Sequence, residues 1–202
     1  MASLRERKRN RSRDDFVLAA LDLFETKGFA ETTVEEIADR AMLSPSTFFR
    51  YFGTKEDVLF AALPESLEVF RPALASELAE HPPWEAVTRA VRLTTRGFVE
   101  QDPALTARIL PLWMNEPALR ARYMDYADAW EREIVRAVTE SQGTDSATDV
   151  YARTIAVASI GAFRIAAERF SADDENVLER FEAALKLVGA GLARSSAAAD
   201  AG

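Results

Sequence analysis

The sequence predicts an all-α protein, with a three-helix helix-turn-helix head followed by a larger helical body, nine to ten helices in total. Apolar residues recur every three or four positions along most of the 202 residues. Only 8 glycines and 8 prolines interrupt this pattern, and runs of the β-branched residues that favour strands are few. Hydrophobic residues make up 48% of the chain and charged residues 29%, a balance typical of globular proteins.

The first two helices are delimited by local signals. Apolar residues at helical spacing predict a first helix over Ser12–Lys27, and Gly28 offers a C-terminal stop. Thr33 and Glu36 have the spacing of a capping box, in which the hydroxyl accepts a backbone N–H and the carboxylate reaches back. The second helix is therefore predicted over Val34–Ala41.

The third helix completes a helix-turn-helix. Ser44 is a good N-cap and Pro45 suits the first helical position, so a helix is predicted over Pro45–Phe52, ended by Gly53. A connection of only three residues, 42–44, joins it to the second helix. A fourth helix is predicted from Thr54 toward Leu63.

The faces of the third helix differ in character. At 100° per residue, Phe48 and Phe52 point toward the core of the head, whereas Ser46, Thr47 and Arg50 point away from it. Short polar side chains near a helix N-terminus allow the backbone to approach DNA base edges closely. This pattern favours a recognition helix that lies in the major groove.

The part of the chain after the predicted fourth helix is expected to form long helices separated by proline or glycine. We place them at about 65–80, 84–101, 103–115, 117–141, 145–170 and 173–193, with Pro72 expected to kink or split the first. His81 is expected to be an exposed residue at a helix C-terminus. The predicted domains are a DNA-binding head over 1–63, a ligand-binding and dimerisation body over 64–194, and a disordered tail over 195–202.

Charge is distributed unevenly along the chain. The net charge is −8, yet the first 13 residues contain six basic residues and only one acidic residue, Glu6. A basic segment next to an acidic body is suited to contact with DNA phosphates. The six basic residues are Arg5, Arg7, Lys8, Arg9, Arg11 and Arg13.

Several classes of protein are disfavoured. The chain has no cysteine and a single histidine, so thiolate chemistry, disulfides and the usual metal or general-base sites are not expected. We predict no catalytic residue, metal or cofactor. No run of 18 apolar residues or secretory signal is evident, so we expect a cytoplasmic protein that does not cross a membrane.

Two segments resemble the head of the tetracycline-repressor (TetR) family: Thr33–Ala41 (TVEEIADRA) and Leu43–Asp57 (LSPSTFFRYFGTKED). The resemblance covers about residues 12–62. It implies a homodimeric transcription regulator, usually a repressor, that binds a double-stranded DNA operator. It also implies a small-molecule effector that binds the C-terminal body and releases the DNA.

The resemblance also implies roles for individual residues. Base contacts are expected from Pro45, Ser46, Thr47 and Arg50, and phosphate-contacting positions are Thr33, Ser44, Phe49, Tyr51 and Lys55. The charge of the first 13 residues, rather than the resemblance, predicts a DNA arm that includes Arg9, Arg11 and Arg13, with a solubilising tail as the alternative. Thr33 and Ser44 would cap helices in any protein, and Lys55 alone could be a surface charge. Phe49 replaces the usual tyrosine, which removes a phosphate hydrogen bond and allows contact with a thymine methyl or sugar. Met42 replaces a glycine common in the turn.

The body contains two candidate surfaces. Large amphipathic side chains could line a ligand pocket, although core packing is the alternative for each; they are Phe98, Trp113, Met114, Tyr123, Tyr126, Trp130 and Phe163. Small and apolar residues of the last two helices could form a four-helix dimer interface, or pack within one chain. The candidates for that interface are Ala158, Ala162, Ile165, Phe181, Leu185 and Val188.

These observations lead to the hypothesis of a homodimeric, ligand-responsive transcription repressor. The sequence does not distinguish a repressor from an activator. Two other classes stay open: a helical adaptor that does not bind DNA, and an enzyme that uses the body pocket.

Overall fold

The computed structural model describes residues 4–168 and 177–191, and their side chains from residue 10 onward. Within these ranges the chain forms nine α-helices and one short 3-10 helix, without strands, which confirms the all-α prediction. The elements are α1 (Leu4–Lys27), α2 (Val34–Arg40), α3 (Pro45–Tyr51), the 3-10 helix (Glu56–Phe60), α4 (Leu63–Glu80), α5 (Pro83–Gln101), α6 (Pro103–Asn115), α7 (Pro117–Gln142), α8 (Val150–Glu168) and α9 (Val177–Gly189).

The helices are distributed over two compact units. The first unit consists of Met1–Ser66 with Leu112–Tyr126, and the second of Leu67–Pro111 with Ala127–Gly202. In the first, α1 packs on α2 and the 3-10 helix, and α2 packs on α3. In the second, α8 and α9 form the most extensive helix pair, and α5 packs against both.

Aromatic rings form the core of the first unit around Phe16. The ring centroid of Phe16 lies 5.3 Å from that of Phe48 and 6.1 Å from that of Phe52, in both cases edge to face. All three side chains are buried. This arrangement confirms the predicted inner face of α3 and directs its opposite face outward.

The core of the second unit contains Ile155, Phe181 and Leu185, which are buried. At the C-terminal end of α9, a Cβ atom on Gly189 would lie 2.8 Å from the indole Nε1 of Trp84. A larger residue at this position would therefore require the rigid indole ring to shift.

Helix α1 begins at Leu4, whereas the sequence predicts a start at Ser12. The predicted start is wrong because leucine, arginine, glutamate and lysine are all good helix formers, so nothing in the preceding segment stops the helix. The basic segment is therefore helical.

The predicted fourth helix, Thr54 to Leu63, is also wrong. The chain instead forms the 3-10 helix Glu56–Phe60, and α4 then begins at Leu63. Pro64 lies in the first turn of α4, where its missing N–H would have no helical partner. Pro72 lies inside α4 without splitting it.

Other boundaries differ less. Helix α8 begins at Val150, later than predicted, with the carboxylate of Asp149 accepting the backbone N–H of Ala152 at 2.8 Å. His81 follows the end of α4 and donates its backbone N–H to Glu77 at 2.9 Å. The predicted break at 171–174, the adjoining helix ends and the tail at 195–202 lie outside the described residues.

Candidate nucleic-acid interface

Helices α2 and α3 form a helix-turn-helix joined by a tight turn. Met42 has a φ of +54°, in the left-handed region that favours glycine. Its backbone N–H donates to Asp39 at 3.0 Å, and the N–H of Leu43 donates to Ala38 at 2.9 Å. The Met42 side chain is 91% exposed, so the turn accommodates a side chain by directing it into solvent.

The N-terminus of α2 is closed by the predicted capping box. The hydroxyl of Thr33 accepts the N–H of Glu36 at 3.2 Å, and the Glu36 carboxylate accepts the N–H of Thr33 at 3.0 Å. Hydrogen bonds from Lys27 and from the Thr33 backbone lower the pKa of Glu36. Thr33 remains exposed, and a hydrogen bond from its side chain contributes to the lowered pKa of Glu36.

Three hydroxyl groups meet at the N-terminus of α3. Ser44 Oγ accepts the backbone N–H of Thr47 at 3.2 Å. The same oxygen lies 2.9 Å from Ser46 Oγ and 2.8 Å from Thr47 Oγ1, within hydrogen-bonding distance of both. The cluster holds these side chains in place beside Pro45, the first residue of the helix.

The outward face of α3 carries one cation and one apolar ring. Arg50 is exposed, and its guanidinium carbon lies 5.2 Å from the ring centroid of Tyr51. Phe49 is 56% exposed, and its ring lies edge to face on that of Phe48, with centroids 5.6 Å apart. A cavity of about 560 Å³ in the first unit opens beside this helix end, with Arg50, Tyr51 and Arg13 among its lining residues.

The Lys55 side chain makes internal contacts. Its Nζ donates to the backbone carbonyls of Phe29, at 2.7 Å, and of Thr32, at 2.9 Å. The same ammonium lies 4.1 Å from the centroid of the Phe29 ring. Two of its three N–H donors are therefore engaged within the protein.

The three arginines of the predicted DNA arm differ in exposure and in their ion pairs. Arg11 is exposed on α1. Arg13 forms an ion pair with Glu65, and its side chain is only 23% exposed. The side chain of Arg9 lies outside the described part of the chain.

Four of the predicted pocket residues belong to the first unit. The Phe60 ring, which is fully buried, stacks on Trp113 at 4.7 Å and on Tyr126 at 5.2 Å between centroids. Trp113, Tyr123 and Met114 are also buried, which favours the core-packing alternative for these three. Burial and the nearby charge of Asp57 raise the pKa of the Tyr126 phenol.

The other three predicted pocket residues belong to the second unit. The rings of Phe70 and Trp130 lie 4.6 Å apart, and those of Phe163 and Phe181 lie 6.3 Å apart. Phe98, Trp130 and Phe163 are all partly exposed. Among the described residues, no group of three side chains is arranged to hold a metal ion.

A further pair of residues, which the sequence reasoning missed, stabilises the segment after α3. Asp57 accepts the backbone N–H of Thr54 at 2.9 Å and the Nε–H of Arg122 at 2.6 Å. The guanidinium of Arg122 also lies over the Tyr126 ring, at 5.0 Å. The three-residue spacing of Thr54 and Asp57 is a capping signal, but no local signal indicates Arg122.

The candidate dimer residues fall into two groups. Ala162, Phe181 and Leu185 are buried within the second unit, so they contribute to the core of a single chain. Ala158, Ile165 and Val188 are exposed or partly exposed. The exposed apolar residues of α8 and α9 also include Val150, Val157 and Leu187, which the sequence reasoning did not select.

Two family models match the chain. The model described as "Bacterial regulatory proteins, tetR family" matches residues 16–62, and that described as "MftR C-terminal domain" matches residues 81–193. The chain is 32% identical over 191 residues to the HTH-type transcriptional regulator TcmR of Streptomyces glaucescens, covering 90% of this chain and 84% of that protein. It is 26% identical to the putative mycofactocin biosynthesis transcriptional regulator MftR of Mycobacterium tuberculosis, covering 87% of this chain and 88% of that protein.

Solved structures share the fold. The FadR repressor of Thermus thermophilus, crystallised with lauroyl-CoA, is 26% identical with a TM-score of 0.57, over 94% of this chain and all of that one. A putative TetR-family regulator from Syntrophomonas wolfei has a TM-score of 0.65 at 21% identity, over 92% of this chain and 98% of that one.

Proposed function

The chain belongs to the TetR family of bacterial transcriptional regulators, and from this premise we propose that it is a homodimeric repressor released from its operator by a small amphipathic molecule. The head over 1–63 would bind DNA in the cytoplasm, and the body over 64–194 would bind the ligand and the second copy. The finding that carries the proposal is the outward face of α3, where Arg50, Ser44 and Ser46 are exposed and Thr47 is partly exposed, opposite a buried aromatic core.

Direct readout of bases is assigned to the first turns of α3. The Arg50 guanidinium can donate two parallel hydrogen bonds to guanine O6 and N7. The hydroxyls of Ser46 and Thr47 can donate to or accept from base edges, and Pro45 contributes apolar contact. Their mutual hydrogen bonds through Ser44 support this assignment, because side chains already held in place lose less conformational entropy on binding.

Phosphate contacts are assigned around this surface. Thr33 and Ser44 each lie at a helix N-terminus, where backbone N–H groups and the helix dipole attract anions. The Tyr51 hydroxyl and exposed Arg11 are additional donors. Arg13, which is paired with Glu65, would have to exchange a carboxylate for a phosphate, so we assign it no primary contact.

We expect Arg50→Ala to alter which duplexes the protein prefers. Loss of one bidentate base contact costs about 1–3 kcal/mol at the base pair concerned and little elsewhere. The measurement is affinity for a panel of duplexes that vary one base pair at a time. Arg132→Ala, which removes an exposed arginine from α7, is the matched control and should leave the ranking unchanged.

If Arg50→Ala also leaves the ranking of duplexes unchanged, the readout role of Arg50 is wrong. If the wild-type protein binds no duplex at all, the adaptor alternative replaces the repressor.

We assign Phe49 an apolar contact with the methyl group of a thymine, since its exposed ring has no hydroxyl to donate to a phosphate. Replacing that thymine by deoxyuridine removes only the methyl group, and we expect about a fourfold loss of affinity because burial of one such group contributes about 0.8 kcal/mol. The Phe49→Ala variant should not respond to the replacement. Equal binding of thymine and deoxyuridine duplexes by the wild-type protein would contradict the assignment.

The dimer interface is assigned to the exposed apolar face of α8 and α9. Ile165 lies seven positions after Ala158 and eight after Val157, close to two helical turns in each case, so the three residues share one face of α8, while Ala162 lies in the core. α8 is long and apolar enough to cross a membrane, but a core helix has the same character. One buried face and one apolar partner-binding face account for its composition.

We assign the effector site to the body. We expect the effector to be an amphipathic molecule. The Thermus thermophilus FadR repressor was crystallised with lauroyl-CoA, which joins an apolar chain to a charged head. Long-chain acyl-CoA thioesters are therefore the first class to test. Release from DNA requires that the ligand bind one conformer more tightly than the other, because equal affinity shifts no population. We assign Phe98, Trp130 and Phe163 as lining candidates, because they are the predicted pocket residues that lie in the second unit and each is partly exposed.

A further inference from the structure

Arg122 contacts three different side chains of the first unit. Its Nε–H donates to Asp57 Oδ1 at 2.6 Å, and its Nη1 donates to Asp125 at 3.1 Å. The guanidinium also lies 5.0 Å from the ring centroid of Tyr126. Asp125 and Tyr126 are on α7 itself, whereas Asp57 belongs to the 3-10 helix, 65 positions before Arg122. The contact with Asp57 therefore joins two segments that are distant in sequence.

The carboxylate of Asp57 has a second partner in the turn that follows α3. Its Oδ2 accepts the backbone N–H of Thr54 at 2.9 Å, while its Oδ1 accepts the Nε–H of Arg122. The hydroxyl of Thr54 accepts the backbone N–H of Asp57 at 3.4 Å, which completes a reciprocal pair of bonds. The two oxygens of one carboxylate therefore connect α7 to the turn at the end of α3.

This turn is packed closely against the carboxylate. Phe52, the C-cap of α3, is 4% exposed, and a Cβ atom on the following Gly53 would lie 3.1 Å from Asp57 Oδ2. Only 13% of the Asp57 side chain is exposed, so loss of its cation would leave a largely buried charge without that partner. Any displacement of Asp57 therefore acts on the end of α3, whose last turn carries Arg50.

We propose that Arg122 is a positioning residue for DNA binding, which pairs with Asp57 and thereby holds the C-terminal end of α3, with Arg50, in the orientation that meets DNA. This inference rests on the proposed function, since it concerns the same recognition helix. Arg122 acts from α7, which contributes no residue to the proposed DNA surface.

Loss of the ion pair should reduce the fraction of molecules in which α3 is correctly placed. Apparent affinity falls in proportion to that fraction. We expect Arg122→Met to weaken binding to every member of the duplex panel about tenfold, the factor that corresponds to one lost hydrogen bond to a charged group. Because every duplex meets the same smaller fraction, the ranking of duplexes should stay that of the wild-type protein, unlike the ranking given by Arg50→Ala.

The dependence of affinity on salt distinguishes positioning from a direct contact with DNA. An arginine that neutralises one phosphate contributes about 0.9 to the slope of log affinity against log salt concentration. Arg122→Met should keep the wild-type slope. Arg132→Met is the matched control, because Arg132 lies on the same helix and pairs with Asp128, four positions earlier on α7. This control should keep the wild-type affinity, ranking and slope.

A double-mutant cycle isolates the pair. Asp57→Asn keeps an oxygen that can accept the N–H of Thr54 but removes the charge that attracts Arg122. This milder change should cause the same kind of uniform loss, so the test does not depend on whether Arg122→Met folds. Because both changes break one interaction, the double variant should bind operator no more weakly than the weaker-binding single variant.

Hydrogen exchange without DNA provides a readout that does not involve binding. The amides of 53–58 include those that Asp57 and Thr54 hold in their reciprocal pair. They should exchange faster in Arg122→Met and in Asp57→Asn than in the wild-type protein or Arg132→Met.

Each outcome decides a specific question. Wild-type affinity in both single variants, a changed ranking of duplexes, or a slope flatter by about 0.9 would overturn the positioning role and leave the proposed function intact. Additive losses in the double variant, or unchanged exchange at 53–58, would also overturn it. Failure of the wild-type protein to bind any duplex would instead reject the proposed function, and with it a role for Arg122 in DNA binding.

Discussion

Replacing Ile165 by aspartate should convert the protein into a monomer and weaken binding to a two-half-site operator about a thousandfold. Ile165 is 56% exposed on the apolar face of α8 that we assign to the second copy. An aspartate there would be buried without a partner in the dimer, which is strongly unfavourable. Each head would then bind its half-site independently, and the gain from linking two heads would be lost.

Light scattering of the purified variant gives the oligomeric state, and titration of the operator gives the affinity. Leu93→Asp is a matched control, because Leu93 is 59% exposed on α5, outside the proposed interface. This variant should remain dimeric. An Ile165→Asp protein that stays dimeric would show that the second copy binds elsewhere.

Truncation of Phe60 to alanine should lower the free energy of unfolding by about 3–5 kcal/mol. Phe60 is fully buried, and its ring stacks between Trp113 and Tyr126. Removal of the ring leaves a cavity and takes away two aromatic contacts. Urea unfolding followed by tryptophan fluorescence measures the change directly, because Trp113 is one of the stacked partners.

Phe49→Ala provides the comparison for Phe60→Ala, since it makes the same chemical change on an exposed ring. It should alter the free energy of unfolding by no more than about 0.5 kcal/mol. Similar losses for both variants would mean that the stack around Phe60 does not stabilise the first unit as the geometry indicates.

The helix-turn-helix could be predicted in detail because its determinants are local. The capping box of Thr33 and Glu36, the Ser44 cap and Pro45 at the first position all act within three residues. Spacing along one short helix was sufficient to separate the inner Phe48 from the exposed Arg50.

Features that depend on distant segments could not be predicted. The sequence suggests a surface lysine or a phosphate ligand at Lys55, because nothing near it indicates that the loop at Phe29 and Thr32 will supply two carbonyls. The contact between Asp57 and Arg122 spans 65 positions and has no local signal.

The dimer candidates show a related difficulty. Helix α8 is apolar on two faces, so periodicity alone does not distinguish Ala162, which packs in the core, from Ile165, which is exposed. Only the fold of a single chain reveals which face is already covered. The same reasoning applies to the aromatic residues of the body, of which Trp113 and Tyr123 are buried.

In the proposed complex, two copies of this chain read one DNA sequence through α3. Selection of duplexes from a random pool by the wild-type protein, followed by sequencing, reveals whether they do. We expect an enriched motif of two inverted half-sites, with centres about 10 base pairs or a multiple of that distance apart. Enrichment of no motif, or of a single half-site without an inverted copy, would contradict it.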